Sequence, residues 1–224
     1  MDVRILLQEE GFLVVDKPAG LPSQATPDPS RRHLIPAVHA LLGETLPLTL
    51  VHRLDADTSG LLVLCADPSL NGWFTDLFRE RRAHKTYRAM VGLPPCVSAQ
   101  DLPEMMDDHL APVPGSKPKK MQVVRAGGQR AHTSVRVLEH WPRCLTLHLE
   151  PRTGRTHQLR VQLASRNYPI LGDRLYGQRE RSAPFAPRLM LHAERLRFPH
   201  PSGTGEVDVM SAAPEVFLAD YLRA

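Results

Sequence analysis

Apolar residues occur only in short runs in this sequence, and that feature limits the folds open to it. The longest run, residues 61–66, has the length of a strand, whereas a membrane-spanning helix needs about 18 consecutive apolar residues or more. An earlier run, Phe12–Val15, is closed by the turn signal Asp16–Gly20, which is typical of a short buried strand. The sequence therefore predicts a globular chain with a sheet in its core and argues against an integral membrane protein.

Helical and extended patterns alternate along the rest of the chain. Asp67 and Pro68 form a helix start, and apolar residues then recur at helical spacing from Leu70 to Phe78. Further helices are predicted over residues 31–42, 156–166 and 214–222. Further strands are predicted over residues 60–65, 85–91, 133–140, 143–150, 189–198 and 206–209. Residues 94–120 are predicted to be mostly irregular, and no linker divides the chain, so we expect one α+β domain over residues 1–224.

Composition narrows the class of protein without naming a function. The three cysteines are widely separated and form no C-x-x-C pair, which argues against a disulfide framework and a zinc ribbon. The N-terminus lacks the pattern of a signal peptide, so we expect a reducing, cytoplasmic location. The net charge of +4 only weakly favours nucleic acid, although arginine suits phosphate recognition.

Three polar segments differ from ordinary scaffolding: residues 51–60, 85–88 and 151–160. The first places a histidine, an arginine, two aspartates and two hydroxyls between two apolar stretches. Buried polar groups without partners cost about 1–3 kcal/mol each, so such residues are either hydrogen-bonded or functional.

The residues His52-Arg53-Leu54-Asp55, followed by Thr58-Ser59-Gly60, resemble the signature of the RluA family of pseudouridine synthases. The similarity continues in residues 16–21, 85–87, 153–160, 172–173 and 191–193, and covers nearly the whole chain. It is closest to the branch without an N-terminal S4 domain, because few residues precede the first strand. The resemblance implies a mixed, largely antiparallel sheet flanked by helices, with a central catalytic cleft.

The implied reaction requires a carboxylate. It breaks the N1–C1′ bond of a uridine in RNA, turns the uracil and rejoins it through C5, with no cofactor and no metal. By similarity Asp55 is the carboxylate, acting either as a nucleophile at C1′ or as a base on the C2′ proton. The sequence leaves these two routes open.

Two further catalytic residues follow from the resemblance. Arg160 lies beside the apolar Leu159–Leu163 stripe of a predicted helix and is the candidate guanidinium that keeps Asp55 ionised. Tyr87 shares a predicted inward strand face with Ala89 and Val91, and is implied to stack on the uracil. The resemblance also implies that Tyr87 helps to remove the C5 proton, although an ordinary tyrosine, with a pKa of about 10, is a weak base near pH 7.

The predicted substrate-binding residues occupy the same motifs. Arg53 matches the arginine that enters the space left by the flipped nucleotide. His52 either contacts phosphate or braces the loop. The remaining members of the set are Leu54, Thr58, Gly60, Arg155 and His157. The partner is RNA, either transfer RNA, 23S ribosomal RNA or both, and we expect a monomer without a nucleotide cofactor.

Three other functions use the same residues. A metal-dependent hydrolase could employ His52, Asp55, Asp57 and His157, although no histidine spacing typical of such enzymes is present. A glycosidase could employ Asp55 with a second carboxylate. A paralogue that binds RNA without catalysis would also retain the basic residues.

Overall fold

The computed structural model describes residues 2–95, 97–117, 119–177 and 186–218. Its strands are β1 (Arg4–Glu9), β2 (Phe12–Lys17), β3 (Thr49–Leu50), β4 (Ser59–Cys65), β5 (His84–Gly92), β6 (Met105–Pro112), β7 (Met121–Val124), β8 (Gln129–Trp141), β9 (Cys144–Pro151), β10 (Leu191–Pro199) and β11 (Glu206–Met210). Its α-helices are α1 (Leu34–Leu42), α2 (Asn71–Arg79) and α3 (Gln158–Ala164). The predicted α+β class is confirmed.

The chain divides into two compact units. Unit 1 comprises residues 1–85 and 192–212, and unit 2 comprises residues 86–191 and 213–224. Within the described ranges of both units, no helix has the length and apolar character required to cross a membrane.

Unit 1 contains a mixed sheet. Its strands follow the order β1-β2-β4-β10, with β3 paired to β4 and β11 paired to β10. The pairing of β10 with β4 is parallel and the others are antiparallel. In the β2–β4 register Lys17 lies opposite Gly60, so two of the motifs in the sequence adjoin one another.

Three aromatic rings form the centre of the unit 1 core. Phe12 of β2, Phe74 of α2 and Phe198 of β10 meet edge to face, with ring centroids 5.6–6.1 Å apart. All three side chains are fully buried. This packing fixes α2 against the sheet from which the loop before β4 emerges.

Unit 2 contains an antiparallel sheet in the order β5-β9-β8-β6-β7. Helix α3 packs against β6 and β7. Val161 of the helix joins Leu110, Met121 and Ala131 of the strands in one buried cluster. This cluster positions the N-terminal end of α3, where the polar segment 151–160 enters the helix.

Several sequence predictions require correction. The described part of residues 94–120 is mostly irregular, as predicted, but it contains the strand β6 at Met105–Pro112, which was not predicted. The strand β1 was not predicted either. Met106 and Leu110 of β6 are buried, and Asp108 between them accepts hydrogen bonds from Gln162 and Arg166. The polar residue at this position interrupts the apolar alternation by which a strand is recognised in a sequence.

The predicted helices are shorter in the structure. The helix predicted over 156–166 begins at Gln158, because His157 adopts a left-handed backbone conformation with φ of 54°. The helix predicted over 31–42 begins at Leu34. Residues 215–218 form a short 3-10 turn, and the end of the helix predicted there lies outside the described residues.

Candidate active site

Asp55 lies in the unit 1 loop between β3 and β4. The residue is half-buried, Arg53 before it is exposed and Leu54 between them is only 5 % exposed. The Thr58 amide donates to the Asp55 carbonyl at 3.1 Å and closes a turn. The loop therefore alternates a buried anchor with side chains that are open to solvent.

Lys17 fixes the loop on the C-terminal side of Asp55. Its side chain is fully buried, and its ammonium donates to the carbonyls of Pro18, Leu21 and Ala56 at 2.8–3.0 Å. The Gly20 amide donates to the Ala56 carbonyl as well, at 2.8 Å. These bonds tie the loop before β4 to the turn that follows β2.

Ser23 fixes the loop on the N-terminal side of Asp55. Its hydroxyl donates to the Leu54 carbonyl at 2.7 Å and accepts from the Leu54 amide at 3.2 Å. Because both neighbours of Asp55 are held through backbone atoms, the position of its Cα does not depend on the carboxylate itself. Such a scaffold preorganises a functional side chain.

His52 braces β4. Its Nε2 accepts a hydrogen bond from the Val63 amide at 2.9 Å, and its ring lies 4.2 Å from the Phe78 ring centroid. Burial, together with the positive charge of Lys85, lowers the pKa of His52 to about 3. The imidazole is therefore neutral near pH 7, and of the two predicted roles the structure favours the brace over a charged contact to phosphate.

The start of β4 is held by a second histidine. The Ser59 hydroxyl and His192 Nδ1 are 2.9 Å apart, and His192 Nε2 donates to the Ser211 carbonyl at 2.9 Å. A Cβ at Gly60 would stand 2.3 Å from the Ala193 carbonyl oxygen, so only glycine fits there. Leu54, Thr58 and Gly60 are buried supports of the loop, and their contact with substrate stays a prediction.

Arg160 in unit 2 is bound edge-on by a carboxylate. Its Nε and Nη2 donate to the two oxygens of Asp173 at 2.7 and 2.9 Å, with the side chains 7 % and 1 % exposed. Burial raises the pKa of Asp173, but the hydrogen bonds and charge of Arg160, together with hydrogen bonds from the backbone amides of Leu175 and Tyr176, outweigh it and hold that pKa below its usual value. The pairing of Arg160 with Asp55 stays a prediction.

Gln158 organises the turn that precedes α3. Its Oε1 accepts from the Thr153 hydroxyl at 2.7 Å and from the Arg155 amide at 3.0 Å. Its Nε2 donates to the His132 carbonyl and to the Thr133 hydroxyl at 3.1 and 2.9 Å. One buried amide therefore satisfies four polar groups and fixes the backbone that carries the predicted binding residues Arg155 and His157.

Gln162, one helical turn further, extends this network. The Thr133 hydroxyl donates to its Oε1 at 2.7 Å, and its Nε2 lies 2.8 Å from a carboxylate oxygen of Asp108. Arg166 also donates to both oxygens of Asp108, at 2.9 and 3.0 Å. The network attaches α3 to β6 and β8.

Tyr87 is buried, at 9 % exposure, as its inward strand position predicts. It lies on β5 opposite Leu149 of β9. The neighbouring Lys85 has a pKa lowered by burial, so that lysine is not an ordinary solvated surface charge.

Some of the arginines and lysines outside the catalytic set, which are candidates for contact with RNA phosphates, are paired with other side chains. Arg79 pairs with Asp76, and Arg82 pairs with Glu80 and lies over the Trp73 ring. Arg152 is exposed and Arg155 is half-buried. Lys117, Lys119 and Lys120 are described, whereas Arg179 and Arg181 lie outside the described residues.

No cluster of three or more His, Cys, Asp or Glu side chains able to hold a metal ion occurs in the described parts of the chain. The predicted metal-ligand candidate His52 uses Nε2 to accept from the backbone.

Sequence reasoning did not assign roles to Lys17, Asp173 or Tyr176. The first two lie inside stretches that carried the resemblance, so the signal was present without a role attached to it. Tyr176 lies three residues beyond Asp173 and contacts both His157 and Arg160.

Comparisons with known proteins place this geometry in context. A model of the RNA pseudouridylate synthase family matches residues 11–165. The dual-specificity RNA pseudouridine synthase RluA of Escherichia coli K12 is 37% identical over 201 residues, covering 88% of this chain and 87% of the relative. The ribosomal large subunit pseudouridine synthase D of Yersinia pestis is 29% identical over 236 residues, covering 98% and 70%.

Similarity extends to solved structures. The human RNA pseudouridylate synthase domain containing 4 protein superimposes with a TM-score of 0.74 at 29% identity, covering 98% of this chain and 92% of the human one. The agreement in sequence and in fold extends over nearly the whole length of the chain.

Proposed function

Because this chain belongs to the RNA pseudouridylate synthase family and is of the RluA type, we propose that Asp55 is its catalytic carboxylate. The enzyme isomerises uridine in RNA to pseudouridine. The observation that carries the assignment is the presentation of Asp55 on a loop whose two flanking residues are held by Lys17 and Ser23.

The reaction exchanges one glycosidic bond for another. The N1–C1′ bond breaks, the uracil turns, and a C5–C1′ bond forms; C5 then loses its proton and N1 gains one. Asp55 acts either at C1′ as the nucleophile or at C2′ as the base, and both require the ionised form. A half-buried carboxylate on a rigid loop suits both roles.

Arg160 supplies a fixed positive charge in this proposal. Asp173 binds the Nε–Nη2 edge of the guanidinium. Because the guanidinium is planar, these two bonds also fix the direction of its third nitrogen, Nη1. The sequence predicts that Arg160 favours the ionised form of Asp55, and we retain that assignment. Tyr87, with its buried ring, is assigned to stacking on the target uracil.

RNA contacts are assigned to exposed and half-buried residues on two loops. Arg53, exposed beside Asp55, is proposed to occupy the space of the flipped nucleotide. Arg155 and His157, on the turn fixed by Gln158, are proposed to contact the RNA backbone, which makes binding weaken as salt rises.

Transfer RNA, 23S ribosomal RNA or both are the proposed substrates. The E. coli relative is described as dual-specificity and the Y. pestis relative as a ribosomal large subunit enzyme. We further propose that the chain acts as a monomer in the cytoplasm, that the two units work as one catalytic domain, and that no cofactor takes part.

The test compares Asp55→Asn with the matched control Asp57→Asn, an exposed carboxylate two residues away. Tritium placed at C5 of uridine is released when C5 loses its proton, so release from unmodified transfer RNA and 23S transcripts measures turnover. We expect Asp55→Asn to lower turnover by about 1,000-fold or more while filter binding of RNA is retained.

The control Asp57→Asn keeps turnover near that of the unaltered chain. Substantial tritium release by Asp55→Asn would refute the assignment of Asp55. RNA binding without tritium release by the unaltered chain would favour the paralogue that binds without catalysis. Pseudouridine mapping in cells with and without the gene then identifies the target nucleotide.

A further inference from the structure

We propose that Tyr176 is a positioning residue for the uridine isomerisation, orienting Arg160 through its ring and His157 through its hydroxyl. Tyr176 contacts both residues within unit 2. The inference rests on the roles proposed above for Arg160 and His157, and the experiment separates its failure from theirs.

The Arg160 guanidinium lies over the ring of Tyr176. The Arg160 Cζ lies 5.2 Å from the ring centroid, within the range in which a cation and an aromatic face attract one another. Asp173 holds the same guanidinium in its plane through Nε and Nη2. The guanidinium is therefore held by two different groups, a carboxylate at its Nε–Nη2 edge and an aromatic ring beside Cζ.

Asp173 also connects Arg160 to Tyr176 through hydrogen bonds. The Tyr176 amide donates to Asp173 Oδ1 at 3.0 Å, and the Leu175 amide donates to the same oxygen at 2.8 Å. The carboxylate that binds the Arg160 side chain therefore also holds the backbone of Tyr176, over whose ring the guanidinium lies. A change at Tyr176 is transmitted to the guanidinium directly and needs no movement of α3.

The hydroxyl of Tyr176 connects β7 to the start of α3. It accepts from the Met121 amide at 2.8 Å and lies 2.7 Å from His157 Nδ1. An amide can only donate, so Met121 uses one acceptor site of the hydroxyl, and the hydroxyl can still either donate to Nδ1 or accept from it. The hydroxyl thus fixes the position of the His157 ring relative to β7.

His157 needs an external anchor because its backbone is in the left-handed region, with φ 54° and ψ 22°. Residues with side chains adopt this region at a cost and persist there when their surroundings hold them. The His157 carbonyl accepts from the Val161 amide at 2.9 Å, so the same residue also starts the helix that carries Arg160.

Tyr176 itself is suited to act as a rigid support. It packs against the buried cluster of Leu110, Met121, Ala131 and Val161. A ring confined in this way holds its neighbours at fixed positions instead of following them.

Two substitutions separate the hydroxyl from the ring. Tyr176→Phe removes only the hydroxyl, and we expect KM for RNA to rise about five-fold with kcat little changed, which is the effect of one lost hydrogen bond. Tyr176→Leu removes both groups, and we expect kcat to fall about ten-fold in addition, because Arg160 loses the ring over which it lies.

Tyr168→Phe is the matched control. The Tyr168 hydroxyl also donates a hydrogen bond inside unit 2, to the Ser98 carbonyl at 2.6 Å, and its ring is buried. We expect this variant to lower the melting temperature and to leave KM and kcat of the folded protein unchanged. A merely structural Tyr176 would behave as Tyr168 does.

The double variant Tyr176→Phe with His157→Ala tests the route through His157. If the hydroxyl acts through that imidazole, its removal has no further effect on KM once the imidazole is absent. Equal effects of Tyr176→Phe in both backgrounds would overturn the inference, as would a Tyr176→Leu variant with unaltered kcat.

The single variants Arg160→Lys and His157→Ala show whether a failure lies in the roles proposed for Arg160 and His157 or in the positioning role of Tyr176. If these variants keep unaltered kcat and KM, the roles proposed for Arg160 and His157 are wrong. If they lose activity while both Tyr176 variants match the unaltered chain, those roles stand and the positioning role of Tyr176 is wrong.

Discussion

Two of the polar segments that carry the resemblance, residues 51–60 and 153–160, are held in position by different kinds of bond. In the first, Lys17 and Ser23 bind backbone atoms on either side of Asp55. In the second, Gln158 binds the Thr153 hydroxyl as well as the Arg155 amide, and Asp173 binds the Arg160 side chain. The residues beside Asp55 are thus held through their backbone atoms, whereas the second segment is held through side chains as well.

This difference predicts how each segment fails. A substitution that disturbs backbone fit in the first segment should act on folding. A substitution that removes an amide or carboxylate in the second should disorder a turn and reach RNA binding as well as stability. The following predictions test that contrast, beginning with the largest effect.

Gly60→Ala should be the most damaging change. The added Cβ would stand 2.3 Å from the Ala193 carbonyl oxygen, at a φ of +112° that disfavours side chains. We expect the free energy of unfolding to fall by more than about 4 kcal/mol, measured by urea denaturation. The control Gly43→Ala also has a positive φ but open space around its Cβ position, and should cost only about 1 kcal/mol.

Similar losses in the two glycine variants would show that backbone conformation alone, and not the approach of Ala193, requires Gly60. That outcome would remove close backbone fit as the distinguishing feature of the first segment.

Gln158→Leu should have an intermediate effect on stability and a distinct effect on RNA. The substitution leaves the Arg155 amide and the Thr153 hydroxyl without their shared acceptor, and we expect the free energy of unfolding to fall by about 3 kcal/mol. Because the turn then loses its fixed shape, KM for RNA should rise as well. Chemical denaturation and the tritium-release assay measure the two effects.

Gln122→Leu is the control for this prediction, since Gln122 is exposed on β7 and should change neither quantity. A Gln158→Leu variant that loses stability with unaltered KM would show that the side-chain network supports the fold without shaping the RNA-binding turn.

The smallest predicted effect concerns pH. Folding lowers the pKa of His52 from 6.5 to about 3, so the unfolded chain binds a proton that the folded chain does not bind below pH 6.5. The contribution of His52 to the free energy of unfolding is therefore complete above pH 6.5. It is lost as the pH falls below that value, at up to about 1.4 kcal/mol per pH unit.

Between pH 7 and pH 5 the free energy of unfolding should therefore fall by about 2 kcal/mol more in the unaltered chain than in His52→Gln, which does not titrate. Equal pH dependence in the two proteins would contradict a neutral, half-buried imidazole at this position.

The sequence motifs assign roles to Asp55, Arg160 and Tyr87, and these roles stay predictions. The residues that support the loops carry no such local signal. His52 was left between two roles, since its acceptor bond to Val63 joins residues eleven positions apart and no local pattern reveals it.

The missed strand β6 illustrates a second limit. Asp108 stands between the buried residues Met106 and Leu110 because Gln162 and Arg166, on another element, supply its hydrogen bonds. A pattern method reads an acid there as a sign of a loop. Tyr176 was missed for the same reason, as its partners Met121 and His157 become neighbours only in the folded unit.

The buried ammonium of Lys17 has a chemical consequence. Its tetrahedral nitrogen points hydrogens at three separate carbonyls, a pattern that the flat, forked head of arginine does not match. Acetylation of this amine before the chain folds would remove the charge and two of the donors, whereas the finished fold shields the amine from acylating reagents. The extent to which this lysine is labelled would thus measure how fast newly made chains fold.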